Sequence, residues 1–204
     1  MTDRTLPMFP LPDFFVFPGT LVPLHIFEER YRQMVGDLLD TAGRLVMANI
    51  PRRHASQDPE SAGVKTKDLI EGSPPVFPYG SLVEIVHHQK LDDGRYMILL
   101  LGLCRVSIAE VPSERLYRKA RIERLEPIPC STEAERRLRP ALEAAVEERT
   151  LNQAEIDAST SIESLTDILL QCLKLSPAQL AEVFAERDEC RRAERALSWH
   201  STPV

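Results

Sequence analysis

The hydrophobic pattern of the first fifty residues predicts a strand, a turn and a helix. Residues 14–17 form a continuous apolar run, which is typical of a strand buried on both faces, and a Pro-Gly pair follows it as a turn signal. From Phe27 onwards apolar residues recur at helical spacing, which predicts an amphipathic helix over about 27–42. Gly43 is placed to end that helix, and a short strand is predicted over 44–50.

The middle of the chain alternates between apolar and polar residues over long stretches. The runs at 81–91 and 95–111 are joined by an Asp-Gly turn and predict a β-hairpin. The second strand is apolar on both faces in its middle, which predicts that both faces are covered there. Residues 117–125 also alternate but carry several charges, so they are predicted to form an edge strand. Residues 51–78 are polar and proline-rich without a period, which indicates a long loop.

Helix-capping signals dominate the last third of the chain. Two prolines at 127 and 129 separate it from the strands. Thr132 begins a capping-box pattern, and Ser161 and Ser176 are placed to cap the next two helices. A last helix is predicted from about Asp188. The pattern therefore predicts a β-rich part followed by helices.

Composition and charge exclude several classes of protein. The 204 residues are 43% hydrophobic, which is ordinary for a globular domain, and the net charge of −6 disfavours a non-specific nucleic-acid binder. The four cysteines are widely spaced and form no CxxC pair, which predicts reduced thiols in a cytoplasmic protein. The longest apolar run, residues 97–104, is too short to cross a membrane.

The segment FPLPDFFVFPGTLVPLHIFEERYRQM, residues 9–34, resembles the opening signature of the Lon protease N-terminal, or substrate-binding, domain family. The likeness rests on the Phe-Pro turn at 17–18 and on PLHIFEERY at 23–31. YGSLVEI, GRYMILLLGLCRV and YRKARIERLEP, further along the chain, resemble the family's later strands. The resemblance implies an α+β fold, with a PUA-like β-barrel over 1–127 that includes the first helix, then a C-terminal helical bundle over 128–204.

The sequence offers no constellation for catalysis. It contains no phosphate-binding loop, no hydrolase elbow and no segment like the Ser–Lys region of Lon protease, so the chain resembles a stand-alone recognition domain without ATPase or protease domains. The adjacent His87 and His88 point to opposite faces of a strand, which disfavours a metal site, and no cofactor is expected. The resemblance implies non-enzymatic binding of unfolded or hydrophobic polypeptide, as an adaptor in proteolysis or quality control.

Candidate contacts for a polypeptide lie in the family-like segment. A strand that contains Phe14, Phe15 and Phe17 must bury apolar side chains on both of its faces. A face that is only partly covered would form an exposed apolar patch. His25 and Tyr31 complete the set, although a hydrogen bond from His25 that fixes the start of the helix is an alternative role. A free barrel edge could also pair with a peptide, or with a second copy of the chain as a homodimer.

RNA binding is the alternative function, because PUA-like barrels in other families bind RNA. The predicted loop carries four basic residues that could contact RNA or an acidic partner: Arg52, Arg53, Lys65 and Lys67. The strand at 117–125 adds four more: Arg118, Lys119, Arg121 and Arg124. The acidic net charge counts against this interpretation.

Overall fold

The structure is a computed structural model that describes residues 4–51, 74–151 and 156–201. Within these residues the chain forms six strands and five helices, which confirms the predicted α+β fold. The strands are β1 (Arg4–Pro12), β2 (Leu21–Ile26), β3 (Arg44–Ile50), β4 (Tyr79–Lys90), β5 (Tyr96–Val111) and β6 (Arg118–Arg124). The helices are α1 (Glu29–Leu38), α2 (Thr132–Thr150), α3 (Ile162–Cys172), α4 (Pro177–Ala185) and α5 (Glu189–His200). The chain divides into a barrel unit, Met1–Leu125, and a helical unit, Glu126–Val204.

The strands of the barrel unit form one sheet that closes on itself. Their order is β2-β5-β4-β3-β1-β6, and an additional pairing between β5 and β6 closes the sheet. β2 pairs with the first part of β5 and β6 with its last part. Because β6 also pairs with β1, the prediction that residues 117–125 form an edge strand is wrong. Among the described strands, only β2 has a partner on one side alone.

The first strand of the barrel lies earlier in the chain than predicted. Residues 14–17 form part of the loop between β1 and β2, so the predicted strand at this place is wrong. The strand is instead the proline-rich β1, whose first half pairs with β6 and whose second half pairs with β3. Each half of β1 therefore pairs with another strand on one side only. A proline whose nitrogen faces the unpaired side removes no hydrogen bond between strands.

Helix α1 covers part of the barrel core. It begins at Glu29, two residues later than predicted, and ends at Leu38. Four of its side chains are buried in the main core cluster of the barrel unit: Tyr31, Met34, Val35 and Leu38. Phe27 therefore precedes the helix and does not belong to its apolar stripe. Gly43 has a φ of 65° and lies in the turn before β3. The prediction that it ends the helix is wrong, because α1 ends at Leu38 with Leu39 as its C-cap.

The helices of the helical unit begin at polar caps, most of which were predicted. The side chains of Ser161, Ser176 and Asp188 accept backbone N–H groups at the starts of α3, α4 and α5. At α2 the cap is Ser131 and not Thr132, because the Ser131 hydroxyl accepts a hydrogen bond from the backbone N–H of Ala134. These caps satisfy N–H groups that have no partner within the helix.

A disulfide joins two distant parts of the helical unit. Cys130, which precedes α2, is bonded to Cys190 in the first turn of α5, with the two Cα atoms 5.4 Å apart. Backbone hydrogen bonds hold the same segments together, since Ile128 N–H donates to Arg187 O and Glu189 N–H donates to Ile128 O. The prediction of four reduced thiols is therefore wrong for this pair. The sequence could not reveal the pair, because 60 positions separate its members.

Thiol titration checks the disulfide directly. We expect the unreduced, denatured protein to show two reactive thiols, Cys104 and Cys172, and the reduced protein to show four. Cys190→Ser should raise the unreduced count because it frees Cys130, whereas Cys172→Ser, as the matched control, should lower it. The measurement is the absorbance of a thiol-reactive chromophore in denaturant. Four reactive thiols before reduction would contradict the pairing.

Candidate functional site

An exposed apolar surface lies where β2 pairs with the first part of β5. The two strands are antiparallel, so residues opposite one another in the ladder share a face of the sheet. The side chains of Val22, Leu24 and Ile26 belong to or pack against the barrel core. The alternate residues point outward and define the β2–β5 face: Leu21, Pro23, His25, Met97, Leu99 and Leu101.

Large apolar side chains of this face are open to solvent. Leu21 is 55% exposed and Met97 is 40% exposed. Phe27 adjoins the face and is 61% exposed, with its ring centroid 6.0 Å from that of His25. The sequence predicted cover on both faces for the middle of β5 alone, and Met97 lies before that part of the strand. Apolar side chains grouped in this way typically mark a surface that binds another molecule.

The same place has an unpaired strand edge. β2 pairs with β5 and with no other described strand, so one side of Leu21–Ile26 carries main-chain groups without a ladder. An extended polypeptide can add to such an edge through main-chain hydrogen bonds. Pro23 has no N–H to offer, and proline at an edge strand limits pairing with other copies of the same edge.

The structure separates the residues that the sequence grouped as peptide contacts. Phe17 and Tyr31 are buried, and the Tyr31 ring lies against Phe9 with 4.1 Å between the centroids. Burial raises the pKa of the Tyr31 phenol, as expected for a group inside the core. We therefore leave these two residues out of the proposed binding surface.

The remaining residues of that group are more accessible. Phe14 is partly buried against the barrel core, and Phe15 lies near Phe77 with 6.2 Å between ring centroids. His25 is exposed on the β2–β5 face. Of the five residues, His25 alone belongs to this face.

The basic residues of the alternative interpretation are only partly described by the structure. Arg52, Arg53, Lys65 and Lys67 lie outside the described residues. Arg118 forms an ion pair with Glu110, and both side chains are nearly buried. Its guanidinium also donates to the carbonyl oxygen of Pro74 at 3.0 Å. The guanidinium of Arg118 is therefore already bound by groups of the protein itself and is not presented to an RNA backbone.

The described part of the chain contains neither a metal-binding cluster nor a membrane-spanning helix. There, no group of three or more His, Cys, Asp or Glu side chains is arranged to hold a metal ion. None of the described helices is both long and apolar enough to span a membrane.

Sequence reasoning missed Leu21, Phe27 and Met97 as surface residues. Phe27 was assigned to the helix because it fits the helical spacing. Met97 begins the apolar run at 97–104, and the sequence contains no separate signal for the exposure of its side chain. The usable signal was the double-sided apolar pattern of β5 itself, since an apolar outer face needs either a covering element or a binding partner.

Comparison with known proteins decides the family. A family model described as "ATP-dependent protease La (LON) substrate-binding domain" matches residues 5–200. The chain belongs to this family. The resemblance to this family that residues 9–34 indicated is therefore confirmed, and the match covers nearly the whole chain.

Full-length relatives are much longer than this LON domain. The Lon protease of Trichlorobacter lovleyi is 29% identical over 182 residues, which cover 88% of this chain and 20% of that protease. The Lon protease of Anaeromyxobacter dehalogenans is 26% identical over 121 residues, which cover 59% of this chain and 13% of that protease. The chain thus spans a fifth or less of the length of these relatives.

Solved structures share the fold of this LON domain. The N-terminal domain of Mycobacterium avium complex Lon protease aligns with a TM-score of 0.70 at 15% identity, over 98% of this chain and all of that one. A Lon N-terminal domain protein from Xanthomonas campestris aligns with a TM-score of 0.65 at 22% identity, over 96% of this chain and 98% of that one. At these identities the likeness concerns the fold alone.

Proposed function

We propose that this domain binds unfolded or partly unfolded polypeptide on the β2–β5 face, without cutting it, as the recognition step of proteolysis or quality control. The observation that carries the proposal is the exposed apolar surface beside an unpaired strand edge. Membership of the LON substrate-binding family supports it. Folded proteins bury most of their large apolar side chains and pair their strands, so unfolded chains are the ligands that can use both features.

The binding mode combines two known physical contributions. Main-chain hydrogen bonds to the β2 edge depend little on the sequence of the ligand, and apolar contacts with Leu21, Phe27 and Met97 favour hydrophobic segments. Burial of apolar area contributes about 25 cal/mol per Å², and ordering a flexible ligand opposes it. A small surface of this kind therefore favours weak binding of low sequence specificity, which suits a sensor of unfolded chains.

Binding of a labelled, alkylated and unfolded polypeptide tests the proposal. We expect Leu21→Ser combined with Phe27→Ser to weaken binding about tenfold, which corresponds to about 1.4 kcal/mol, because both side chains lose apolar contact with the ligand. Fluorescence anisotropy is the measurement, with the same polypeptide in its folded form as the comparison ligand.

Leu116→Ser is the matched control. Leu116 is 58% exposed but lies before β6 and outside the β2–β5 face, so its loss should change the affinity less than twofold. Equal losses in the double variant and the control would show that general surface hydrophobicity drives binding. Unchanged affinity in the double variant would refute the assigned surface.

A further inference from the structure

A cleft elsewhere in the barrel unit has a different chemistry from the β2–β5 face. It is an open cleft of about 710 Å³ between the start of β1, the end of α1 and the start of β6. Its apolar walls include Leu6, Pro7 and Leu38, and three cations line it: Arg44, Arg115 and Lys119. The cleft does not include any residue of the β2–β5 face. It is large enough for a short segment of another molecule.

The cations of the cleft are only partly neutralised. Among the described residues, Asp37 is the single carboxylate that lines it, and its Oδ2 accepts a hydrogen bond from the Tyr117 hydroxyl at 2.8 Å. Arg115 approaches the same oxygen at 3.6 Å, and Arg44 pairs with Glu84 at 2.8 Å just beside the cleft. Among the described residues Lys119 forms no ion pair. The cleft therefore has a positive balance in a chain whose net charge is −6.

The phenol of Tyr117 is a fixed donor in this arrangement. Burial and the neighbouring Asp37 raise the pKa of Tyr117 to about 12, so its hydroxyl stays protonated at neutral pH. Its hydrogen bond to Asp37 takes up part of the acceptor capacity of that carboxylate. The ring is buried, so it offers no face on which a nucleobase could stack.

The wall formed by β1 offers main-chain contacts. Residues 5–7 pair with β6 on one side, but the ladder between β1 and β3 begins only at Met8. Thr5, Leu6 and Pro7 line the cleft at this unpaired part of the strand. An unpaired strand edge is suited to an extended polypeptide and has no particular fit to a free anion.

We propose that the cleft is a second binding site, which takes an extended polypeptide segment rich in acidic side chains. Carboxylates of the ligand pair with Lys119, Arg115 and Arg44, its alternate apolar side chains contact the cleft walls, and its main chain lies along β1. The site acts independently of the β2–β5 face. Such a site would retain unfolded chains whose acidic segments are poor ligands for an apolar surface.

A labelled short peptide of alternating glutamate and valine tests this site. We expect Lys119→Glu to weaken its binding about tenfold, and Arg115→Glu about fivefold, in low-salt buffer. The wild-type affinity should fall as salt rises from about 50 mM to about 300 mM, because the site is exposed to solvent. The glutamine twin of the peptide should bind more weakly than the glutamate form.

Arg136→Glu is the matched control, since it changes the net charge equally at an exposed position that does not line the cleft. Circular dichroism confirms that each variant is folded, and Lys119→Gln gives a milder second variant. The Leu21 and Phe27 double variant should bind the acidic peptide normally, which separates this site from the proposed function. The proposal would be overturned if Arg136→Glu and Lys119→Glu lowered the affinity for the acidic peptide equally, or if the wild type did not bind this peptide at low salt. Tighter binding of short single-stranded RNA than of the peptide would also overturn it.

Discussion

Asp167→Asn is expected to destabilise the helical unit by about 3–5 kcal/mol, because it leaves a buried arginine without its counter-charge. The Asp167 Oδ1 atom lies 2.5 Å from the Arg192 Nη1 atom, and the two side chains are only 3% and 2% exposed. Asparagine keeps the shape of the side chain but removes its charge. The guanidinium then stays desolvated and uncompensated, which costs more than the lost pair itself contributes.

The position of Arg192 explains why the effect should reach beyond one contact. Asp167 belongs to α3 and Arg192 to α5, and the Arg192 Nε group also donates to the carbonyl oxygen of Val183 in α4 at 2.9 Å. A single guanidinium therefore connects three helices. Moving it toward solvent would require those helices to separate.

Urea unfolding followed by Trp199 fluorescence measures the effect, since Trp199 is the chain's one tryptophan and lies in α5. Glu133→Gln is the matched control: it removes an exposed ion pair with Arg136 and should change the free energy of unfolding by less than about 0.5 kcal/mol. Replacing the buried pair by leucine and methionine should cost less than Asp167→Asn, because no charge is left unpaired. A loss below about 1 kcal/mol for Asp167→Asn would contradict this account.

Features with local causes could be predicted from the sequence. Ser161 and Ser176 cap their helices because the hydroxyl and the N–H groups that it satisfies lie within three residues of each other. The β4–β5 hairpin follows in the same way from alternating residues around Gly94, whose φ is 82°. The family-like segment added the α+β fold, which no single element indicated.

Features that depend on distant partners could not be predicted. β1 is a strand in spite of its prolines because β3 and β6 each pair with a different half of it. Residues 14–17 are apolar and all four are partly or fully buried, but burial does not require strand geometry. The exposure of Phe27 depends on where α1 begins. The pairing of Asp167 with Arg192 could not be predicted either, because the two residues lie in different helices, α3 and α5.

Gly102 connects the barrel to the beginning of the proposed binding surface. It lies in β5 beside a change of register with β4, and its N–H donates to Thr20 O while its own carbonyl accepts from Gly19 N–H, both at 2.9 Å. A Cβ atom at this position would collide with the carbonyl oxygen of Phe17 and would lie 3.1 Å from Val16 Cγ1. The loop at residues 16–20 therefore packs directly on β5 and leads into β2.

Gly102→Ala is expected to cost about 3 kcal/mol or more and to weaken binding of unfolded polypeptide as well. The colliding oxygen belongs to the backbone, so the loop or the strand must move, and a moved loop displaces β2. Chemical unfolding followed by far-ultraviolet circular dichroism gives the stability, and fluorescence anisotropy gives the affinity. Gly36→Ala is the matched control: its Cβ would meet nothing within 4 Å, and its exposed place in α1 should make the variant about 0.5–1 kcal/mol more stable. A Gly102→Ala variant as stable as the wild type would contradict the expected collision, because it would mean that the loop can leave β5 without cost. Unchanged binding of unfolded polypeptide would show that the β2–β5 face works without this loop in its place.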